Sequence, residues 1–375
     1  MERVLYVATY GDFFSSFQID NMRLWQELGC EVHCAADFTD RNKNIFTERI
    51  DDLGVIKHQV DFVRTPLSIK NVSAYMQLKK ILVDEKITIL DTHNPVASIL
   101  ARVAANTVGI KKIMYTVHGF FFYKGAPLMK NLLFKPIEFA MARLTDVVVT
   151  TNLEDFEAAK LMKVRKKVYY VPGVGVDVDY ITRLEVERSE KRKEFGIPEN
   201  SFVISSVGES IKRKNHETAI RAFAKVYTPD MYYIVVGDGE LHTYLKNIVK
   251  KLGVESNVIL PGYRKDANAI LKISDLYVFP SYQEGLSVAL MQAMAAGLPV
   301  VASNIRGNVD CIINGKGGIT ASPTDVDGIA NAIISLKNDS KLRSEFGNFN
   351  KKKVTEFSKQ KVFEKNNDIF RTLID

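Results

Sequence analysis

Three short stretches of this 375-residue chain hold residues whose types and spacing could do chemistry. Residues 280–302 read PSYQEGLSVALMQAMAAGLPVVA. A strand-like run ends near Phe279, Glu284 and Gly285 occupy a loop, a helix is expected from about Leu286, and Gly297 and Pro299 close it. The N-terminus of a helix offers free N–H groups and partial positive charge, which bind phosphates, and Gly285 lets a ligand approach the backbone closely. Glu284 would then sit beside the ligand, able to accept hydrogen bonds from sugar hydroxyls; the alternative is that it only satisfies the helix N-terminus. Residues 206–220 read SVGESIKRKNHETAI. Gly208 opens a loop after a strand, and Lys212, Arg213 and Lys214 precede a helix. Three adjacent cations at a strand end suit a diphosphate whose leaving-group charge must be stabilised, unless they form an exposed charged loop. Residues 114–127, MYTVHGFFFYKGAP, put His118 after a third strand, where it reaches a ligand or serves as a structural histidine.

These loops need strands to carry them. Apolar runs at 4–9, 31–36, 87–91, 112–116 and 146–150 alternate with helix-like segments, among them 17–28 and 95–107. The alternation restarts after residue 200: strands at 202–207, 232–236, 258–260, 276–279 and 299–302, helices at 216–226, 241–252, 266–273 and 286–296. Such β-α alternation predicts parallel sheets with helices on both faces. Doubly wound sheets bind ligands beyond the carboxyl ends of their strands. Two Rossmann-like α/β domains facing across a shared cleft would therefore suit a reaction between a donor and an acceptor. The expected boundaries are 1–172 for the first domain, 173–199 for a densely charged connection, and 200–355 for the second. Residues 356–375 are expected to form a terminal amphipathic helix.

Composition narrows the class. Hydrophobic residues at 46% and charged residues at 25% are ordinary for a globular enzyme. Cys30, Cys34 and Cys311 make no disulfide framework, and no second Cys pair or His cluster completes a metal site. The start of the chain is too interrupted for a signal peptide, and no run of about 18 apolar residues exists to span a membrane, so a cytoplasmic location is expected. The net charge of +7 concentrates in part in 111–143, where Lys111, Lys112, Lys124, Lys130, Lys135 and Arg143 face the single acid Glu138 amid Phe120–Phe122, Leu128, Met129, Leu132 and Leu133. That mixture suits peripheral contact with an anionic membrane better than nucleic acid, or else a core helix with a basic edge.

The stretch 280–302 resembles the signature of the retaining GT-B glycosyltransferases of family 4, in which two glutamates separated by seven residues precede an Ala-Met-Ala-x-Gly-x-Pro-Val-Val ending. Glu284 matches the first glutamate, which in the family contacts the donor sugar. Gln292 stands at the second, which holds the ribose hydroxyls; it keeps hydrogen bonding and loses the charge-assisted part. In 206–220, Lys214 matches a family lysine, Glu209 replaces the family's arginine, and Arg213 is the candidate to replace its charge. The run around His118, with 136–155 and 168–176, resembles the capsular and exopolysaccharide branch, where this histidine lies near the donor sugar. Gly11 falls in the loop after the first strand that family members use to approach the substrates. Gly237-Asp238-Gly239 and Gly262-Tyr263-Arg264 resemble family loops around the nucleotide.

The resemblance implies Glu284, His118 and Lys214 as catalytic residues. Gly11, Arg213, Lys214, Gly285, Leu286, Ser287 and Gln292 are implied to bind a nucleotide sugar, with UDP favoured. It implies a glycan acceptor, carried on a polyprenyl diphosphate, and no metal or other cofactor. Asp177-Val-Asp179 and Asp325-Val-Asp327 match the metal motif of another glycosyltransferase fold, but sit in expected linker or loop. A nucleotide-sugar epimerase of the same fold and a non-catalytic nucleotide-sugar-binding subunit are the competing readings.

Overall fold

The computed structural model describes residues 1–39, 44–63, 65 and 68–374. The chain forms two compact units, one of residues 1–174 with 360–375 and one of residues 175–359.

The first unit runs β1 (Arg3–Tyr10), α1 (Asp12–Phe17), α2 (Ile19–Glu27), β2 (Glu31–Asp37), α3 (Asn44–Asp51), β3 (Ile56–Gln59), α4 (Lys70–Asp84), β4 (Ile89–Thr92) and α5 (Pro95–Val108). It continues through β5 (Lys112–Val117), α6 (Leu128–Met141), β6 (Val147–Thr150), α7 (Leu153–Lys160) and β7 (Lys167–Tyr170). Its seven strands are all parallel, in the order β3-β2-β1-β4-β5-β6-β7. Side chains alternate across a strand, so β1 feeds two cores. Val4, Tyr6 and Ala8 pack with Met22 and Trp25, whereas Leu5 and Val7 pack with Leu78 and Ala101.

The second unit begins with α8 (Val178–Arg183) and α9 (Arg188–Glu194). It proceeds through β8 (Phe202–Val207), α10 (His216–Val226), β9 (Met231–Val236), α11 (His242–Lys251), β10 (Val258–Gly262), α12 (Ala267–Ile273) and β11 (Leu276–Phe279). It ends with α13 (Val288–Ala295), β12 (Val300–Ser303), α14 (Asn308–Cys311), β13 (Gly318–Ala321), α15 (Val326–Asn338) and α16 (Ser340–Lys353). Its parallel sheet has the order β10-β9-β8-β11-β12-β13. The last helix, α17 (Lys359–Ile374), packs in the first unit, where Phe370 stacks on Trp25 with ring centroids 4.1 Å apart.

Several elements depart from the sequence expectation. β3 and β7 are added edge strands. The helix expected over 17–28 is α2, preceded before Gln18 by the short additional helix α1, and the one expected from Leu286 starts at Val288, with the Ser287 hydroxyl accepting from the Leu290 N–H. Of the connection expected over 173–199, residues 175–199 belong to the second unit. The reason is Arg192, buried and donating to the Ile273, Glu199 and Ser201 carbonyls and to Asp275. The two Asp-x-Asp sequences have structural work: Asp177 and Asp325 cap α8 and α15.

Trp25 is the only tryptophan of the chain, so its fluorescence reports on the first unit. Phe370→Ala is expected to cost that unit about 3–5 kcal/mol, read as an earlier fluorescence transition in denaturant.

Candidate functional site

Each sheet reverses its winding once, between β1 and β4 in the first unit and between β8 and β11 in the second. Loops leaving adjacent strands at such a point diverge to opposite faces and leave a crevice at their carboxyl ends. The candidate residues of the second unit converge there. Lys212–Lys214 form a single 3-10 turn after β8, and Glu284 lies in the loop after β11.

Lys214 Nζ donates to Glu284 Oε1 at 2.9 Å, and Arg213 Nη1 lies 2.8 Å from the same oxygen. Lys214 and Glu284 are buried, whereas Arg213 is exposed on one side. Burying a lysine and a glutamate is costly unless they are paired, so the loop after β8 does not merely hang in solvent. The Lys214 ammonium also sits over the Phe279 ring, 5.1 Å from its centroid. Backbone and side-chain hydrogen bonds lock the loops together. The Tyr282 N–H donates to the Arg213 carbonyl, Arg213 to the Gln283 carbonyl, and Asn215 Nδ2 to the Pro280 and Pro323 carbonyls. Asn215 holds a left-handed conformation, φ 56°, that turns the chain into α10. His216 is buried with Nε2 3.2 Å from the Gly208 carbonyl, and burial pushes its pKa down to about 4.

Gly285, Leu286 and Ser287 precede α13 and lie half-buried or buried at its N-terminal end, with Gln292 half-buried one turn further on. The position of Gly285 depends on a residue that the sequence did not single out. A Cβ on Gly307, whose φ is +76°, would lie 1.8 Å from the Gly285 carbonyl oxygen. Only glycine fits both that backbone and that approach. Asn308 and Ser303 brace the same place: Asn308 donates to Ser303, and the Ser303 hydroxyl donates to the Ser281 carbonyl at 2.6 Å. Gly237 is similar, since a Cβ there would lie 1.9 Å from the Gly208 oxygen. Glu209 is exposed beside it.

In the first unit, Gly11 follows β1 and donates its N–H to the Asp37 carbonyl, with no room for a Cβ against the Phe38 ring. His118 follows β5. Its Nε2 is 3.1 Å from Nδ1 of His93, a buried residue that the sequence reading passed over, and its ring packs edge-on against Phe13. Burial lowers the pKa of both imidazoles, that of His118 to about 4, so both are neutral near pH 7.

The basic and apolar segment of the first unit also resolves. Glu138 is the one buried residue of α6, where it accepts from Arg102 at 3.0 Å and from the Tyr115 hydroxyl. Its charge is therefore spent inward. Outward, Leu128, Met129, Leu132 and Leu133 are exposed by 72, 75, 61 and 49%, with Lys124, Lys130 and Lys135 exposed around them. The expected alternative of a core helix does not hold. Among the described residues, no helix is long and apolar enough to cross a membrane.

Gly307→Ala is expected to cost the second unit about 1–3 kcal/mol and to shift the backbone amide resonances of residues 284–287. A neutral effect on both would show that the loop is not set by this contact.

Known proteins resemble this chain in sequence and in fold. Residues 20–180 match the model of Glycosyltransferase Family 4, and residues 187–353 match that of Glycosyl transferases group 1. EpsD of Bacillus subtilis is 29% identical over 100% of this chain and 97% of that protein. The UDP-Gal:alpha-D-GlcNAc-diphosphoundecaprenol alpha-1,3-galactosyltransferase of Escherichia coli is 32% identical over 82% of this chain and 81% of its own length. Among solved structures, HepE of Anabaena, crystallised with UDP, has a TM-score of 0.80 at 16% identity over 99% of this chain and 100% of HepE. The likeness in structure concerns the fold, that of GT-B proteins with two Rossmann-like domains.

Proposed function

This chain belongs to the glycosyltransferases, with a family 4 domain followed by a group 1 domain, and we propose that it transfers a sugar with retention from a UDP-sugar to a lipid-linked glycan acceptor in the building of a capsular or extracellular polysaccharide. The observation that carries the reading is the pairing of Lys214 and Arg213 with Glu284 at the point where the second sheet reverses. There, a diphosphate meets two cations and the N–H groups ahead of α13, and the carboxylate accepts from the hydroxyls of the attached sugar.

In the proposed reaction the bond from the anomeric carbon to the diphosphate oxygen breaks. Negative charge grows on the leaving phosphate, where Lys214 and Arg213 neutralise it and stand in for the arginine that Glu209 replaces. Positive charge grows on the sugar ring, as in an oxocarbenium ion. Glu284 and His118 orient that sugar. The acceptor hydroxyl attacks from the face the diphosphate leaves, and its proton passes to the departing phosphate oxygen. Gly285, Leu286 and Ser287 supply backbone contacts, and Gln292 holds the ribose by neutral hydrogen bonds. Gly11 keeps the loop after β1 close to the substrates.

UDP as the carrier is supported by its presence with HepE, and a lipid diphosphate acceptor by the name of the Escherichia coli relative. The exposed apolar and lysine-bearing face of α6 supports a peripheral hold on an anionic membrane, which is where such an acceptor resides.

Calorimetry against a panel of UDP- and GDP-sugars tests the donor assignment. One UDP-sugar is expected to bind, and Lys214→Ala and Glu284→Ala are each expected to weaken it about 10- to 100-fold, the worth of a charged hydrogen bond. Wild-type protein that binds no nucleotide sugar, or variants that bind as wild type does, would sink the reading. Binding without turnover on any polyprenyl-linked acceptor would favour a non-catalytic subunit. Flotation with phosphatidylglycerol vesicles tests the membrane contact, which neutralising Lys124, Lys130 and Lys135 is expected to abolish; wild-type protein that stays at the bottom of the gradient overturns it.

A further inference from the structure

Behind His118, the first unit buries two more ionisable side chains in line with it. His93 Nδ1 is 3.1 Å from His118 Nε2, and at the other end of the same ring His93 Nε2 is 3.3 Å from Asp91 Oδ1. Asp91 and His93 are each only 1% exposed. Neither Asp91 Oδ1 nor His93 Nε2 has a hydrogen-bond partner of its own. The two atoms lie 3.3 Å apart, within reach of one another by a small rotation, and the Tyr6 hydroxyl and Trp25 indole N–H beside the carboxyl are unpaired in the same way. The row is held by packing. The His93 ring stacks on Tyr6 at 5.5 Å between centroids, Phe13 covers both imidazoles, and the His93 backbone N–H donates to the Val7 carbonyl.

We propose that Asp91 and His93 are positioning residues which decide which ring nitrogen of His118 carries its proton, and so whether His118 offers a ligand a donor or an acceptor. The inference rests on the reading of His118 as a sugar-binding residue. Its logic is a matter of counting protons. Both imidazoles are neutral and carry one proton each. When Asp91 is protonated, its O–H donates to His93 Nε2. The His93 proton is then on Nδ1 and donates to His118 Nε2, which leaves His118 with its proton on Nδ1. When Asp91 is ionised, it accepts from His93 Nε2–H, His93 Nδ1 accepts from His118 Nε2–H, and His118 Nδ1 is left as a bare acceptor. One proton removed at Asp91 thus inverts the outermost group two side chains away, with no other proton gained or lost.

Burial pushes the Asp91 carboxyl up to about 8, with Tyr6 and Trp25 drawing it partly back. Near neutral pH the row therefore holds the first arrangement, with His118 Nδ1–H free to donate to a sugar oxygen. Among the described residues, the titratable groups facing Asp91 are Tyr6 from β1 and His93 with His118 beyond it. Trp25, Asn21 and Gln18 from the α2 side, Met114 and Thr116 from β5 and Asn366 from α17 are uncharged. A cavity of about 20 Å³ beside Asp91 and His118 has room for a single water.

The test is an imidazole ¹⁵N NMR titration of the free protein from about pH 6 to about pH 10, spanning the interval over which the raised carboxyl ionises. His118 Nδ1 is expected to move from the protonated to the unprotonated position with a midpoint near 8, and Nε2 the opposite way. Asp91→Asn keeps a donor toward His93 and is expected to freeze His118 with its proton on Nδ1 throughout. His93→Phe keeps the packing on Tyr6 and is expected to remove the pH dependence and populate both forms. A wild-type His118 whose nitrogens do not exchange roles over this range overturns the proposal, as does an exchange that persists unchanged in Asp91→Asn. The titration needs no donor, so a protein that binds no nucleotide sugar in calorimetry would fail the functional reading on a separate measurement.

Discussion

A lysine buried against a phenyl ring must have a counter-charge, and in the second unit Glu284 is that charge. The bond from Lys214 to Glu284 ties the loop after β8 to the loop after β11, and these two strands are neighbours only because the winding reverses between them. Much of the local architecture serves that contact. Asn215 turns the chain out of it and fastens both Pro280 and Pro323, Gly307 admits the Gly285 carbonyl, and Ser303 and Asn308 hold the strand end beneath. The pair also keeps both cations and the carboxylate from being stranded without a partner. An incoming diphosphate and sugar would exchange partners with groups already gathered and already desolvated, and so would avoid much of the ordering cost of assembling them.

The sequence made some of this plain. Strands buried on both faces announce themselves as continuous apolar runs, so β1, β2, β4 to β6, β8, β9, β11 and β12 were legible, as were the edge strand β10 and the alternation with helices. The edges of the first sheet were not. β3 reads IKHQ and is mostly exposed, so it carries no apolar signal, and β7 is short and only partly covered. The charged stretch before residue 200 misled for a different reason. Arg192 has the composition of a solvated helix, and only tertiary contacts reveal that its guanidinium is buried among carbonyls and Asp275.

The candidate site divides in the same way. Glu284, Lys214 and His118 could be named because each stands at a strand end in a stretch of telling residues. That Lys214 and Glu284, 70 positions apart, share one hydrogen bond could not be read from either stretch. Gly307 was silent because a glycine after a strand is common, and its role lies in a close approach from another loop. Asp91 and His93 sat in plain view within DTHNP, but an aspartate that closes a strand is ordinarily solvated; its burial behind Tyr6 and Trp25 is a property of the packed sheet.

The path of the chain through its two units has a consequence for how it is made. The second unit is continuous in sequence, whereas the first needs residues from 360 onward to cover Trp25 and complete its core. Synthesis is vectorial, and domains ordinarily fold in the order in which they emerge from the ribosome. Here the order is inverted: the portion translated second can finish folding first, while the portion translated first waits with one apolar flank open. The nascent first unit would be the species that most needs a chaperone, and the α17 segment would act as the late-arriving clasp that ends its dependence.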